Sequence, residues 1–196
     1  MRIVECLQGS NEWLGARCGI PSASNFDLIV TIKGEPSKQR TKYLYRLAGE
    51  VITGIPEESY QNGAMQRGIE LEAEARDLYR LIAENEVTEV GFCLAEGYGA
   101  SPDGLVGDKG LLEIKCPSMA VHIGYLLEGV LPLDYFQQVQ GQLLVTSREW
   151  CDFVSYYPGL KPLIVRVTRD EAFLKLLEAE LKKFVKELKE VVNKIK

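Results

Sequence analysis

Asp103, Glu113 and Lys115 are the residues of this 196-residue chain best suited to do chemistry. Asp103 lies in the turn Ser101-Pro102-Asp103-Gly104, shortly ahead of the β-type run Leu112-Glu113-Ile114-Lys115. On a strand, residues two apart share a face, so Glu113 and Lys115 project together while Ile114 points the other way. Carboxylates and an ammonium grouped in this way suit phosphodiester hydrolysis. Carboxylate oxygens hold Mg²⁺, and the metal polarises phosphate and lowers the pKa of an attacking water. A neighbouring ammonium orients that water or balances the developing negative charge. The plain alternatives are an ordinary Pro-Asp-Gly turn and an ion pair at a sheet edge. The combination outweighs them, because charges on an apolar strand (Leu111, Leu112, Ile114) are costly to bury unless something compensates, and a cation would.

Two further stretches complete the constellation, Arg67-Gly68-Ile69-Glu70-Leu71-Glu72 and Gln138-Val139-Gln140. Apolar spacing predicts a helix from about Asn62 to Glu84. On it Glu72 shares a mainly apolar face with Met65, Gly68, Ile69, Ala75, Arg76 and Tyr79, whereas Glu70, Glu74 and Asp77 fall on other faces. A lone carboxylate in such a stripe reads as a metal ligand or a water-holder, with Gly68 allowing close approach. The competing reading is an i, i+4 pair with Arg76, worth a few tenths of a kcal/mol.

The elements that must position these residues follow an α/β order. A short helix at Asn25–Thr31 is capped by the hydroxyls of Ser22 and Ser24, and a second helix spans Ser37–Thr53 and ends at Gly54 and Pro56. After the Glu72 helix come β-type runs at Val87–Ala95, Tyr98–Ser101, Leu105–Val106 and Leu111–Lys115, then helical patterns at Met119–Glu128 and Leu133–Thr146. Strands at Cys151–Tyr157 and Leu163–Thr168 follow, divided by Pro158-Gly159. The order implies a mixed central sheet covered by helices. Asp170–Lys196 reads as a long amphipathic helix, with Thr168 and Glu171 in the spacing of a capping box. Its stripe of Leu174, Leu177, Leu181, Phe184, Leu188, Val191 and Ile195 covers a sheet within the chain or, as the less common alternative, makes an oligomer contact. The expected organisation is one domain over 1–196, with a helical part at about 1–60, a catalytic core at about 61–168 and the C-terminal helix at about 170–196.

Composition is that of an ordinary globular protein, with no apolar run long enough to cross a bilayer and no signal-peptide layout. Cytoplasmic location, in a bacterium or a phage-infected host, is the expectation. The five cysteines (Cys6, Cys18, Cys93, Cys116, Cys151) are scattered, which argues for reduced thiols and against zinc, disulfide or iron–sulfur frameworks. The net charge of −5 alone says nothing of nucleic acid. Its distribution says more: Lys33, Lys38, Arg40, Lys42 and Arg46 cluster against only Glu35, while acids concentrate from Glu57 to Glu89. That fits a nucleic-acid groove beside a carboxylate site, and equally a solvated helix face.

Trp13, Arg17, Gly19, Ser22-Ala23-Ser24, the Gly68/Glu72 helix, Ser101 to Leu105, Leu112 to Pro117 and Tyr135 to Gln140 stand in the order and near the spacing of one known family. The chain resembles, over roughly Trp13 to Thr146, the phage lambda exonuclease family of the PD-(D/E)xK nuclease superfamily. The resemblance implies a restriction-endonuclease-like core and an ATP-independent, processive 5′→3′ exonuclease. Such an enzyme degrades one strand of linear duplex DNA to mononucleotides and leaves 3′ overhangs for recombination. It also implies a pair of Mg²⁺ ions (exchangeable for Mn²⁺), a ring-shaped homotrimer on duplex DNA ends, and a single-strand annealing protein as partner. By resemblance the metal ligands fall on Asp103, Glu113 and the main-chain carbonyl of Ile114, with Glu72 assisting and Lys115 acting on the water. A 5′-phosphate pocket falls on Arg17 with Ser22, Ser24 and Ser101, and Tyr135, Gln138 and Gln140 lie near the scissile strand. A guanidinium and nearby helix-terminal amides suit phosphate physically. Pro21 stands where the family has an aliphatic residue, which bears on the geometry of that pocket.

The competing functions are a structure-specific or nicking endonuclease of the same superfamily, a Cas4-like single-strand exonuclease (disfavoured by the cysteine pattern), and a non-catalytic DNA-end-binding subunit. His122, the only histidine, reads as structural or near-surface, since no nucleophile motif such as GxSxG accompanies it. Trp13 reads as a packing residue before a base-stacking one.

Overall fold

Strand Gly110–Lys115 is buried along almost its whole length, and the sheet is built around it. In the computed structural model, which describes residues 1–57 and 63–196, the element order is β1 (Arg2–Val4), α1 (Asn11–Arg17), α2 (Arg40–Thr53), α3 (Gly63–Ala83), β2 (Val87–Thr88), β3 (Phe92–Leu94), β4 (Gly99–Ala100), β5 (Gly104–Val106), β6 (Gly110–Lys115), α4 (Met119–Glu128), α5 (Phe136–Thr146), β7 (Trp150–Ser155), β8 (Leu163–Thr168) and α6 (Glu171–Ile195). The five-stranded sheet runs β2-β5-β6-β7-β8. Only β6 and β7 are parallel, the crossover between them carrying α4 and α5; the other pairs are antiparallel. A smaller antiparallel sheet pairs β3 with β1 and β4.

Strand parity assigns the two faces of the large sheet. Leu112, Ile114 and Val154 pack with Ala75 and Tyr79 of α3, while Leu111, Cys151 and Phe153 pack with Val139 and Leu143 of α5. Glu113 and Lys115 share parity with Leu111 and therefore stand on the α5 side.

A third cluster joins α2, α6 and a 3₁₀ segment at Ala23–Leu28. Phe173, Leu174, Leu177, Leu181, Phe184, Leu188 and Val192 of α6 are all buried within the chain. Of the expected stripe, Leu174 to Leu188 form an internal seam against α2, whereas Val191 is half-buried and Ile195 is exposed, the seam continuing through Val192 instead. The cap also differs from the expected box: Asp170 is the N-cap, its side chain accepting from the Phe173 N–H, while Glu171 pairs with Arg169.

Other boundaries move for local reasons. The expected run Val87–Ala95 divides into β2 and β3, which belong to different sheets. Between them Glu89 turns out to reach Arg76 at 3.1 Å. The helix expected from Leu133 opens with a 3₁₀ turn before α5, and the one expected at Asn25–Thr31 is the 3₁₀ segment at Ala23–Leu28. β1 and α1 were not evident from the pattern; α1 is capped by Ser10, whose hydroxyl accepts from Trp13 N–H at 3.2 Å. The start of the expected Asn62–Glu84 helix, and the side chains of Met65 and Ile69 on its Glu72 face, lie outside the described residues. His122 is buried, not near-surface, and ties α4 to the sheet through Ser155 Oγ at 2.8 Å and the Lys161 carbonyl at 3.0 Å.

Candidate active site

Asp103 is held by the start of β5 against β6. Its N–H donates to Leu112 O at 3.0 Å, and its Oδ2 accepts from Ile114 N–H at 2.6 Å. That second bond borrows a main-chain donor of the central strand and fixes the carboxylate beside Glu113 and Lys115.

Glu113 is 1% exposed, and donors from two elements surround it. Oε1 accepts from Lys115 Nζ and Gln138 Nε2, each at 2.5 Å, and Oε2 accepts from Gln142 Nε2 at the same distance. Gln138 and Gln142 lie one turn apart on α5, so a single helix face caps the acid. Lys115 Nζ sits 5.3 Å from the Tyr135 ring centroid, and that ring leans on Phe153 of β7 with centroids 5.1 Å apart. Tyr135 and Gln138 thus stand beside Lys115 and Glu113.

Glu72 reaches the group from α3. Its Oε1 accepts from Arg76 Nη2 at 2.5 Å, so the i, i+4 pair exists. The same carboxylate is within electrostatic range of Glu113 and Lys115, so pairing and proximity to the site hold together. Arg76 also donates from Nε to Asp103 O at 3.2 Å and links the helix to the Asp103 turn. A Cβ at Gly68 would meet no described atom within 4 Å, so none of the described residues makes the close approach expected there.

The protonation pattern follows from this crowding. Burial first, then Glu113, pushes the Asp103 carboxyl well above the usual carboxylate range. Burial likewise raises Glu72, with Arg76 opposing and Glu113 adding to it. For Lys115, burial favours the neutral amine, yet Glu113 and Asp103 outweigh it and the ammonium is held above its ordinary value. Among the described residues no three carboxylate, imidazole or thiol side chains form a ready-made metal cage. The acids instead present a partly compensated pair, Asp103 and Glu113, with Glu72 nearby and main-chain oxygens of β6 adjacent. Excess buried negative charge of this kind is what a hard, oxygen-seeking cation relieves.

One expected glutamine is placed elsewhere, and another that was not expected stands at the acid. Gln140 was expected near the DNA, but it is buried: Nε2 donates to Thr168 O and Oε1 accepts from Asp170 N–H, each at 2.9 Å. Both ends of its amide are used to fasten α5 to the start of α6. Gln142 takes the place at the acid. The i, i+4 repeat from Gln138 was the available signal, since residues so spaced share a helix face.

A second polar cluster lies at the N-terminal side. The Arg17 guanidinium stacks 4.0 Å from the Trp13 ring centroid and donates to Ser22 Oγ at 3.2 Å and Ser24 Oγ at 3.3 Å. Trp13 Nε1 donates to Ser101 Oγ at 2.9 Å, which ties this cluster to the loop carrying Asp103. All four predicted pocket residues are therefore brought together. Of these, Arg17 and Ser22 line a cavity of about 160 Å³, together with Trp13, Asn25, Tyr43, Arg46, Glu50 and Glu57. Burial lowers the pKa of Arg17, with Tyr43 and Glu50 opposing, yet a guanidinium stays charged in this range. Glu50 spends its carboxylate on the N–H groups of Gly19 and Glu57. Of the basic segment, Arg40 is paired with Glu187 and Arg46 with Glu57, while Lys33, Lys38 and Lys42 are exposed with no ion pair among the described residues.

The family described as a YqaJ-like viral recombinase domain matches residues 12–149, a span that holds every residue of both clusters. The alkaline exonuclease LHK-Exo of Laribacter hongkongensis is similar in structure with a TM-score of 0.87 and 39% identity, over 95% of this chain and 96% of that one. The same exonuclease in complex with dAMP gives a TM-score of 0.86. A phage-related exonuclease from Haemophilus somnus, at 15% identity, shares the fold with a TM-score of 0.73 over 90% of this chain and 96% of that one. An uncharacterized protein of Acanthamoeba polyphaga mimivirus, R354, is 30% identical over 169 residues, but this chain spans only 30% of its length.

Proposed function

The chain belongs to the YqaJ-like viral recombinase family, and from that premise we propose that it is a metal-dependent exonuclease that shortens linear duplex DNA from its 5′ ends. The observation that carries this reading is the meeting of Asp103, Glu113 and Lys115, with Glu72 in range. Mg²⁺, or Mn²⁺ in its place, would be held by Asp103, Glu113 and the Ile114 carbonyl, with Glu72 assisting, and would supply Lewis-acid polarisation of the phosphate and an acidified water. Lys115, an ammonium held by Glu113, is placed to orient that water or offset charge developing on the phosphate oxygens. Gln138 and Tyr135 border the same space and would face the scissile strand.

Arg17, Ser22 and Ser24, with Ser101 behind Trp13, form a cationic, hydroxyl-lined recess for the 5′-terminal phosphate. A guanidinium whose nearest partners are hydroxyls and a ring keeps donors for an incoming anion. Engagement of a terminal phosphate would set the strand polarity, leave a 3′ overhang and deliver mononucleotides. The partners that follow are DNA ends, a single-strand annealing protein and further copies of this chain in a ring trimer. With Leu174 to Leu188 of α6 buried within the chain, the exposed aliphatic side chains of α4 (Met119, Ile123, Leu127) are surface available for such protein contacts. No helix among the described residues is long and apolar enough to cross a membrane.

The direct experiment is digestion of an end-labelled linear duplex, with and without 5′-phosphate, in Mg²⁺ and in EDTA. The reading requires loss of the 5′-ended strand, dependence on the divalent ion, and preference for the phosphorylated end. Cleavage of closed circular DNA would point instead to an endonuclease. End binding without nucleotide release would point to a non-catalytic subunit.

A further inference from the structure

Gln142 is 1% exposed, and its Nε2 donates to Glu113 Oε2 at 2.5 Å. Its own amide oxygen is buried with no hydrogen-bond partner among the described residues. The orientation of the amide is not arbitrary. Rotating it would set the amide oxygen against a carboxylate oxygen, acceptor against acceptor, so the N–H side must face Glu113. Covalent geometry then leaves the Oε1 acceptor beside the carboxylate without a donor. A buried acceptor in that condition is rare in folded proteins and calls for an explanation.

The three donors on Glu113 divide its carboxylate unevenly. Oε1 is shared by Lys115 and Gln138, both of which border the site, whereas Oε2 is held by Gln142 alone. Among the described residues Gln142 is thus the donor that holds the second carboxylate oxygen and, with the two donors on Oε1, fixes the rotation of the Glu113 carboxylate. Partners of this sort, which touch a ligand and not the metal, orient the ligand and set its affinity.

We infer that Gln142 is a positioning residue for a divalent cation at Glu113, accepting an unsatisfied amide oxygen of its own in order to hold Oε2 and fix the orientation of the carboxylate that would bind the ion. The inference rests on the metal-nuclease reading of the site and assigns to this chain a determinant of metal affinity outside the acids and the lysine.

The test is direct Mn²⁺ binding, by calorimetry on the full chain without DNA, for wild type, Gln142→Met and Gln142→Asn, with circular dichroism confirming the fold. Met keeps the length and removes the hydrogen bond; Asn keeps the amide but withdraws it by one methylene. Both variants are expected to bind Mn²⁺ about 10- to 100-fold more weakly. Nucleotide release should recover as Mn²⁺ is raised, and KM for DNA should not move. Wild-type Mn²⁺ affinity in a folded variant, whatever its melting temperature, overturns the proposal. If Gln142→Met does not fold, Gln142→Asn decides alone. Failure of the wild-type chain itself to bind Mn²⁺ would sink the metal reading of the site instead, a distinct result.

Discussion

The carboxylate centre and the Trp13–Arg17 recess both keep charge out of water, but they neutralise it in opposite ways. At the centre each acid is tied to a donor of the chain: Asp103 to a strand N–H, Glu113 to Lys115 and two glutamines, Glu72 to Arg76. In the recess a guanidinium is met by serine hydroxyls and an indole face, and Glu50, the buried acid nearby, is already spent on main-chain N–H groups. The first region is braced against its own repulsion and still carries excess negative charge; in the second, no carboxylate among the described residues is bonded to the Arg17 guanidinium. Crowded acids at one place and a guanidinium with no bonded carboxylate at the other are what a cation and a phosphate, respectively, would relieve.

The sharpest way to break this comparison is to empty the centre. Glu113→Gln or Asp103→Asn should lower nucleotide release by at least about 10²–10³-fold, the scale of losing one preorganised charge at a reacting phosphate. Circular dichroism should stay unchanged. Persistence of activity in these variants, or in Lys115→Ala, would show that the convergence is only a braced ion cluster.

Emptying the recess should do less and do it selectively. Arg17→Ala removes a charged donor worth about 1.5–3 kcal/mol, or roughly 10- to 100-fold, on a phosphorylated 5′ end, and should barely affect a hydroxyl end. Rates on the two substrates, measured side by side, separate these outcomes; an equal loss on both ends would assign Arg17 to the stacking on Trp13 alone.

How the regions are joined predicts an intermediate phenotype. Helix α5 holds Glu113 and also packs on the 3₁₀ segment that follows Ser22, and Gly141 makes that approach possible. A Cβ at Gly141 would lie 2.4 Å from the Phe26 ring and 3.3 Å from Ala23 Cβ. Gly141→Ala should therefore cost about 1–3 kcal/mol of stability by overpacking, a fall of roughly 2–12 °C in Tm, since 1 kcal/mol shifts a domain of this size by about 2–4 °C. It should also reduce phosphate-end preference more than the rate on hydroxyl-ended DNA. A melting curve and the same pair of substrates check both parts.

What the sequence disclosed follows the reach of each physical signal. Strand parity placed Glu113 and Lys115 on one face correctly because period-2 geometry is local and rigid. The helix spanning Met119–Glu128 and the strand Leu163–Thr168 matched residue for residue, since strong apolar runs sit between clear breakers. Gln140 was misassigned and Gln142 missed because both lie on α5 and only the neighbours, Thr168 and Asp170 for one and Glu113 for the other, decide which does what. The α6 stripe was ambiguous for the same reason: a heptad-like seam does not say whether its partner is the same chain. Arg76 was foreseen only as a weak surface pair, yet burial and its bond to Asp103 O make it a strut between α3 and the Asp103 turn.

The smallest expected effect separates the regions by pH. In metal-free protein the Asp103 carboxyl lies above its ordinary value, about 3.9 in an unfolded chain, chiefly because it is buried and then because Glu113 is near. A carboxyl raised on folding binds its proton more tightly in the folded state, so its effect on stability is unfavourable once it ionises. The penalty is absent below about pH 3.9, grows as pH rises through the window up to the folded value, and is full above it. Asp103→Asn removes the charge and keeps an oxygen to accept the Ile114 N–H. In EDTA at neutral pH the variant should therefore melt above wild type, by about 2–4 °C for each kcal/mol relieved, and the two should converge near pH 4. Adding Mg²⁺ should reverse the order, because only wild type gains a ligand for the ion. Arg17→Ala offers the contrast: its guanidinium holds its charge throughout, so the Tm difference from wild type should not change across that window. A gap that stays constant with pH for Asp103→Asn as well would mean the centre carries no excess negative charge, and the opposition between the two regions would be lost.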